Sequence, residues 1–441
     1  MGIALGNRHR LQALLMLFLL TSGLTVTFFS PGNVCAQSPR QVWYSLDNGL
    51  EFGSLPLPSF RSEEDQRAII ITSWQMGSLH DPKDLSGRTH FLAEVLRRAH
   101  RVPTAEEEVR VGNQRTWWVE QVPPADVEAH LNKILDRLEF TLTDASLVGR
   151  VRGDLLASQK QQLTSLVPGL QDRVLDRLLP QNSGPRGQYQ LGPISLEDLE
   201  KLRRESFTPA NLHIAIVGPH DPDPTLEIVR RKFSRIPAGK VLAKITPKPA
   251  LYGEVGVKKN LPNAAGAIVR SWRVPSPGTK ESLALGLFIP RALRILQSDP
   301  SSIDWDPTVN PEVLTIVVPI PADSKDPRTA LLEAQARLDA AIQYGLQSTV
   351  ELSDMQSARE TFGGLLGIDR VHDETSMHDP MSAAEALMVQ KIDNVDERQQ
   401  VNLFGRDIRP QLEKLKSEFI SDELSVTGIV IPSVSTPLRF R

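Results

Sequence analysis

Cysteine is almost absent from this 441-residue chain, in which Cys35 is the only thiol. Around it, Val34-Cys35-Ala36 has the small residues that a signal peptidase needs for cleavage before Gln37. Cleavage there would remove the thiol together with the segment. We therefore expect a mature chain with no disulfide, no cysteine nucleophile and no thiolate metal site.

Acidic residues are absent before Asp47, and the N-terminus has the pattern of an export signal. Arg8 and Arg10 precede an apolar run, Leu11–Leu20. We predict a signal peptide over residues 1–36, and hence a periplasmic or secreted protein. The alternative is an uncleaved membrane anchor, because the whole apolar region is just long enough to span a bilayer. In either case we expect membrane contact only through this segment.

An excess of basic charge is also lacking. The chain has 50 Lys and Arg residues against 53 Asp and Glu residues, which gives a net charge of -3. Nucleic acid is therefore not an expected partner, because binding to it requires a basic surface. Glycine-rich phosphate loops and a Gly-x-Ser-x-Gly elbow are missing from the sequence as well. The composition, 40% hydrophobic and 23% charged, is that of an ordinary folded protein.

What the sequence does contain is one order of strands and helices that occurs twice. Arg67–Met76 is rich in β-branched residues and predicts a buried strand, and a helix is predicted after Gly87. The same order restarts at about Ile245. Within it, Ser73–Ser78 (SWQMGS) is echoed by Ser271–Ser276 (SWRVPS). The echo and the shared order of elements predict a duplication.

The fold class predicted from this order is α+β. We expect two tandem homologous domains, 37–240 and 241–441, after the signal peptide. Each is expected to form a mostly antiparallel sheet with helices packed on one face, because strands come first in each series and helices follow.

Three segments carry a resemblance to a known family. Gly77–Asp81 (GSLHD) and Gly87–Leu92 (GRTHFL) are followed, at a matching distance, by Phe207–Leu212 (FTPANL) and Gly218. Together they resemble the active-site segment and the repeat-ending strand of the insulinase, pitrilysin and mitochondrial-processing-peptidase family. The resemblance implies a zinc peptidase whose two similar domains face each other across a chamber as a clamp.

The zinc signature of this family, His-x-x-Glu-His, is only partly present. His90 stands at the first histidine ligand, Ala93 at the catalytic glutamate and Glu94 at the second histidine ligand. In the family that glutamate takes a proton from zinc-bound water, so the general base is missing here. Without the resemblance, His90 and Glu94 are simply a polar pair one turn apart on a helix surface.

The third zinc ligand of the family is a glutamate on a later helix. The matching helix, predicted over Asp144–Leu163, contains no glutamate. By pattern, Ser158 or Gln159 occupies the ligand position, and Asp154 is the nearby carboxylate. Asp154 therefore joins the histidine and the glutamate of the first segment as a candidate vestigial metal ligand.

The predicted function is that of an exported, non-catalytic homologue of a zinc metallopeptidase. It would bind a peptide or an unfolded protein segment, or act as the partner of an active zinc-bearing relative in a heterodimer. No cofactor is expected. The alternative is a weak or unusual metalloendopeptidase that keeps zinc on His90 and Glu94, with Asp154 beside them.

The second half of the chain offers no replacement site. Gly286–Arg291 corresponds to the His90 segment and contains no metal ligand. Leu296–Pro311 is short and has no tyrosine, so the arginine and tyrosine with which the family holds its substrate are expected to be lost as well.

Two features of the sequence have alternative interpretations. A histidine-bearing acidic loop, 372–379, is either a metal site or a solvated loop. One ring of Trp117-Trp118 is expected to pack inward, with a peptide-binding aromatic as the alternative.

Overall fold

The computed structural model describes residues 41–57, 67–101, 105–164, 166–180, 190–256, 265–296, 303–321, 326–347, 349–358, 380–393 and 408–431. The predicted signal peptide and the acidic loop at 372–379 lie outside these residues. All the elements below belong to one compact unit of the chain, residues 39–441. Among the helices that lie in the described residues, none is both long and apolar enough to cross a membrane.

The first sheet has six strands in the spatial order β1-β2-β6-β3-β5-β4. Its strands are β1 (Val42–Ser45), β2 (Glu51–Pro56), β3 (Ala68–Trp74), β4 (Glu106–Val111), β5 (Thr116–Val122) and β6 (Leu212–Gly218). Neighbouring strands are antiparallel, except that β2 and β6 run parallel. The helices of this half are α1 (Arg88–Ala99), α2 (Val127–Glu139), α3 (Ala145–Thr164), α4 (Leu166–Leu178), α5 (Leu196–Ser206) and α6 (Pro222–Phe233).

The second sheet has five strands in the order β7-β11-β8-β10-β9. Its strands are β7 (Gly253–Gly256), β8 (Gly266–Arg273), β9 (Ile303–Asp304), β10 (Val313–Ile320) and β11 (Ser425–Val430). The pair β7 and β11 is parallel and the other pairs are antiparallel. The helices of this half are α7 (Ser282–Ile295), α8 (Pro327–Gly345), α9 (Leu352–Ala358), α10 (Pro380–Ile392) and α11 (Arg409–Glu418). The α+β fold class is confirmed.

The two sheets repeat one arrangement. The order β2-β6-β3-β5-β4 in the first sheet matches β7-β11-β8-β10-β9 in the second, including the parallel pair. The tryptophans of the sequence echo make the same contact. Nε1 of Trp74 donates to the carbonyl of Ser206 at 2.8 Å, and Nε1 of Trp272 donates to the carbonyl of Ser421 at 3.0 Å. These equivalent contacts support a duplication; the boundary at 240 stays a prediction.

Both faces of the central strand β3 are covered. All seven of its residues are buried. Side chains alternate between faces along a strand. Ile70 and Trp74 lie in the cluster with the helices of the first half, whereas Ile69 and Ile71 lie in a cluster with residues of the second half. Burial on both faces explains why the sequence is apolar throughout rather than alternating.

Each sheet is covered on this second face by a helix from the other half of the chain. Helix α4 packs on β8 and β11, where Leu170 and Val174 share a buried cluster with Val269 and Val426. Helix α10 packs on β3 and β6 of the first sheet, and its Leu387 is buried there. Helices were expected on one face only; the exchange of α4 and α10 covers the other face as well.

The two adjacent tryptophans on β5 are both buried. Trp117 and Trp118 expose 0% and 1% of their surface and point to opposite faces of the sheet. The ring of Trp118 stacks on that of Trp74, with the centroids 6.2 Å apart, and meets Phe207 edge-on at 5.4 Å. One ring was expected to pack inward; both rings do, and neither is available to a peptide, because strand alternation buries one in each cluster.

Candidate functional site

The candidate site lies on helix α1, whose start is fixed by Asp81. The carboxylate of Asp81 accepts hydrogen bonds from the backbone amides of Gly87 and Thr89, both at 3.0 Å, and from Oγ1 of Thr89 at 2.6 Å. Gly87 has a φ of 86°, a left-handed conformation that glycine adopts without strain. Burial raises the pKa of Asp81 to about 7, although these donors act against the rise. The short loop thus fixes the start of α1 and with it the position of His90 on the first turn.

His90 is half-buried on the first turn of α1. Desolvation lowers the pKa of its imidazole below the ordinary value of 6.5; the charge of Glu94 opposes this shift and that of Arg97 adds to it. The ring is therefore neutral at pH 7, which is the form that ligates metals. By itself, His90 keeps the chemistry of a ligand.

Glu94 is bound to an arginine of its own helix. Its Oε2 accepts from Nη2 of Arg97 at 2.8 Å and from Nε of the same guanidinium at 3.1 Å. Nε of Arg98 lies 4.0 Å from the same oxygen. Both N–H groups of Arg97 donate to this one oxygen, so the charge of Glu94 is already balanced by a guanidinium of its own helix.

Ala93, at the general-base position, is a core residue. It has no exposed surface and belongs to the same buried cluster as Phe91 and Leu96. A side chain at this position meets packed apolar atoms before it meets water. The position has therefore become part of the hydrophobic core of the first half.

Asp154, on α3, is paired with the next arginine of α1. Its Oδ2 lies 2.5 Å from Nη1 of Arg98, and 63% of its side chain is exposed. Ser158 is exposed and Gln159 is half-buried on the same helix. The structure thus brings Glu94 and Asp154 to neighbouring arginines.

The donor set at this site does not fit a zinc centre of the family type. Structural and catalytic zinc sites need at least three protein ligands that converge on one point. Across the residues that the structure describes, no three His, Cys, Asp or Glu side chains come together in a way that could hold a metal ion. Instead, the carboxylates of Glu94 and Asp154 are each paired with a guanidinium of α1.

A buried ion pair on the matching helix of the second half was not found from the sequence. Arg291 follows Trp272 by the same number of residues as Ala93 follows Trp74, and it is buried on α7. Its Nε donates to Oδ2 of Asp354 at 2.9 Å, and Nη1 of Arg294 donates to Oδ1 at 2.8 Å. The shared spacing from the repeated tryptophan places Arg291 at the position that matches Ala93, but it does not reveal Asp354 as its partner.

The region expected to have lost its substrate-holding residues contacts the first half instead. The amide of Asn113, in the turn between β4 and β5, donates to Oδ1 of Asn310 at 3.2 Å. A Cβ added at Gly112 would lie 1.8 Å from the carbonyl oxygen of Val309, so only glycine fits there. The segment around 309–310 is therefore packed against the hairpin of the first sheet.

A comparison with protein families finds one match. The family model described as the Peptidase M16 inactive domain matches residues 193–289, from just before α5 into α7. No curated protein matches the sequence. The family match covers the junction of the two halves.

Solved structures share the fold over most of the chain. The chain is similar to a protease from Helicobacter pylori (TM-score 0.71, 14% identity, 89% of this chain and 100% of that chain). It is also similar to a peptidase M16 inactive domain from Pseudomonas fluorescens (TM-score 0.68, 12% identity, 90% and 98%). A third is the periplasmic protease PqqL from Escherichia coli (TM-score 0.62, 14% identity, 88% and 47%). These findings confirm the resemblance predicted from the sequence and relate the chain to the inactive M16 domain.

Proposed function

We propose that this chain is an exported, non-catalytic homologue of a zinc metallopeptidase that serves as the partner subunit of an active, zinc-bearing relative. One observation carries the proposal: the general-base position, Ala93, is buried in the core while Arg97 and Arg98 hold Glu94 and Asp154. Helix α1, which in the family carries the zinc ligands, carries ion pairs here.

Two losses compound in this arrangement. Removal of a general base by itself costs about 10²–10⁴-fold in rate. A metal ion at His90 would in addition have to compete with guanidiniums for both carboxylates. The fold is meanwhile complete, with two sheets and buried cores in each half. A chain that keeps its fold and loses its chemistry fits a binding role, and a peptide or an unfolded protein segment is the ligand that we propose for it.

The partner role is tested by affinity capture of the full-length tagged chain from its native host, at neutral pH and with zinc present. We expect a stoichiometric homologue with an intact His-x-x-Glu-His segment. An unrelated exported protein with the same tag is the control, and it measures the background of the capture. Recovery of the chain alone, without any zinc-bearing homologue above the background of the control, would remove the partner version of the proposal.

The alternative function is a weak metalloendopeptidase with His90 and Glu94 as residual ligands. The observation that favours it is that His90 still stands on the first turn of α1, at the position of the family's first histidine ligand. Its test is a zinc titration of the purified chain beside His90→Ala, with peptide hydrolysis measured in parallel. Stoichiometric zinc binding at micromolar affinity, together with hydrolysis that disappears in His90→Ala, would establish this alternative and overturn the non-catalytic one.

Export is proposed from the N-terminal pattern of Arg8, Arg10 and the apolar run, and one similar structure is a periplasmic protease. N-terminal sequencing of the chain recovered from the cell envelope is expected to start at Gln37. An intact Met1 in a membrane fraction would instead support the anchor.

A further inference from the structure

Helix α10 is held on the first sheet by charged groups as well as by apolar packing. Its buried face includes Ala384, Leu387 and Met388. Around that face, ion pairs join the helix and the residue just after it to strands and turns of the first sheet: Arg115–Asp393 at 2.7 Å, Lys391–Glu51 at 3.0 Å and Arg110–Glu385 at 2.6 Å. These contacts form a latch between the two halves of the chain, and we call it the α10 latch.

His213 lies among the charges of this latch. It is on β6, paired with Glu51 of β2 on one side and with Ser73 of β3 on the other. Only 8% of its surface is exposed, and Nε2 of Gln75 lies 3.2 Å from its Nδ1. The imidazole is therefore enclosed at the point where α10 meets the sheet.

Three of the elements around His213 bring a charge toward it, while β3 brings the uncharged Ser73 and is followed by Gln75. Glu51 comes from β2, Lys391 from α10, and Arg115 from the turn between β4 and β5, where Asp393 accepts from Arg115. Burial is the main cause that lowers the pKa of His213, to about 4; Glu51 opposes the shift, while Lys391 and Arg115 add to it. The closed latch thus favours the neutral ring.

We propose that His213 is an acid-sensitive trigger of the α10 latch, and that its protonation loosens helix α10 from the first sheet. A proton on the ring adds a third positive charge beside Lys391 and Arg115. The new cation competes with Lys391 for Glu51, the residue opposite His213 on the neighbouring strand β2. Because a buried imidazolium needs solvation, and α10 is one of the elements that cover it, lifting the helix relieves the cost.

The direction and size of the effect follow from linkage. The closed state binds a proton on His213 less readily than the open state, because the pKa of the ring is lowered there. Above pH 6.5 the ring is neutral in both states and the closed state keeps its full stability; this stability relative to the open state is lost as the pH falls from 6.5 toward 4. With an ordinary pKa of 6.5 in the open state and about 4 in the closed state, the equilibrium constant for opening rises roughly thirtyfold between pH 7.5 and pH 5. The sheet face uncovered by opening carries Ile69, Ile71 and Val217.

Hydrogen exchange of the full-length chain tests the proposal. Peptides from α10 and from α4 are compared at pH 7.5, 6 and 5, after correction for the intrinsic exchange rates. Helix α4 is the internal control, because it crosses the second sheet as α10 crosses the first. We expect protection of α10 to fall roughly thirtyfold across this range, with α4 changing little. Parallel loss of protection in both helices would mean general acid unfolding and would overturn the proposal.

His213→Gln is the first variant, since it keeps a polar side chain that cannot titrate. We expect its α10 protection to be independent of pH between 7.5 and 5. A profile that still falls as in the natural chain would exclude His213 as the trigger. If His213→Gln does not fold, Lys391→Met decides instead: it should loosen α10 already at pH 7.5 and reduce the acid response. A Lys391→Met profile identical to that of the natural chain would also overturn the proposal.

Discussion

Nη1 of Arg98 lies 2.5 Å from Oδ2 of Asp154, so an ion pair joins α1 to α3 close to where the family resemblance places the third zinc ligand. Arg97 holds Glu94 in the same way, at 2.8 Å. The candidate site therefore contains two carboxylates whose charges are already balanced. A divalent cation would gain little there, because it would have to compete with both guanidiniums for the two carboxylates.

The Arg98–Asp154 pair is expected to contribute little to stability. Both side chains are partly in solvent, with 31% and 63% of their surfaces exposed, so water screens the attraction. We expect Arg98→Ala to lower the free energy of unfolding by less than about 1 kcal/mol. Chemical denaturation of Arg98→Ala, Asp154→Asn and the double variant isolates the coupling between them. A coupling energy above about 2 kcal/mol would show a tighter, less hydrated junction than the structure has.

Restoring the general base should damage the fold and give no peptidase. Ala93 has no exposed surface, so a glutamate there must enter a packed cluster without a partner for its charge. We expect Ala93→Glu to lower the free energy of unfolding by about 3 kcal/mol or more at pH 7. Denaturant titration measures the loss, and a zinc-supplemented peptide assay checks the activity.

Ala93→Gln is the matched control for this prediction. It adds nearly the same volume with no ionisable group, so it reports overpacking alone. The additional cost in Ala93→Glu should shrink as the pH falls and the buried carboxyl becomes protonated. An Ala93→Glu chain as stable as the natural one, with zinc-dependent hydrolysis, would show that the position is still open to a catalytic side chain.

The sequence predicted the strands and helices of the fold better than it predicted which of them pack against each other. The run of isoleucines in β3 and the repeated Ser-Trp pair predicted a buried strand and a duplication, because both are local patterns. The exchange of α4 and α10 between the sheets was not predicted. An apolar helix face shows that the helix is buried, but it carries no information on which of two similar sheets covers it.

The candidate site was predicted where its features depend on local spacing, and missed where they depend on packing between helices. The motif placed His90, Ala93 and Glu94 correctly on one helix, since their spacing is local. The pairing of Glu94 with Arg97 follows the three-residue spacing of helix neighbours and was within reach of the sequence. The pairing of Arg98 with Asp154 was not, because it depends on how α3 packs against α1.

In the second half, loss of one carboxylate is expected to be costly. Asp354 and Arg291 each expose only 2% of their side chains, and the two are 2.8 Å apart. We expect Asp354→Asn to lower the free energy of unfolding by about 3–5 kcal/mol, because it leaves the guanidinium of Arg291 buried beside a neutral amide. Thermal and chemical denaturation both measure this change.

Arg294→Ala serves as the control for Asp354→Asn. Its side chain is 38% exposed although it contacts the same carboxylate, so its loss should cost less than about 1 kcal/mol. Equal losses in the two variants would mean that burial of Arg291 does not set the energy of this network.

The last prediction concerns a buried carboxylate on β5. Glu120 is fully buried; its Oε1 lies 2.6 Å from Nη2 of Arg137 and its Oε2 lies 2.9 Å from Nε2 of His130. Burial alone would raise its pKa, but Arg137 and His130 outweigh burial and lower the pKa to about 2. The ionised form therefore stabilises the fold above pH 4.5, and this contribution is lost as the pH falls from 4.5 toward 2.

Glu120→Gln should accordingly be destabilised in a pH-dependent way. At pH 7 we expect a loss of about 3 kcal/mol in the free energy of unfolding, because Arg137 loses the nearer of two buried counter-charges and keeps only Glu107, at 3.4 Å. The difference from the natural chain should narrow as the pH is lowered through 4.5, where the unfolded chain of the natural protein begins to take up a proton that the folded chain does not. Urea titrations from pH 7 to pH 3 follow this difference. Glu128→Gln on α2 is the control, since its side chain is 57% exposed and its contact with Lys232 is 3.4 Å long. A constant difference between Glu120→Gln and the natural chain at every pH would mean that packing, and not the charge of Glu120, accounts for the loss.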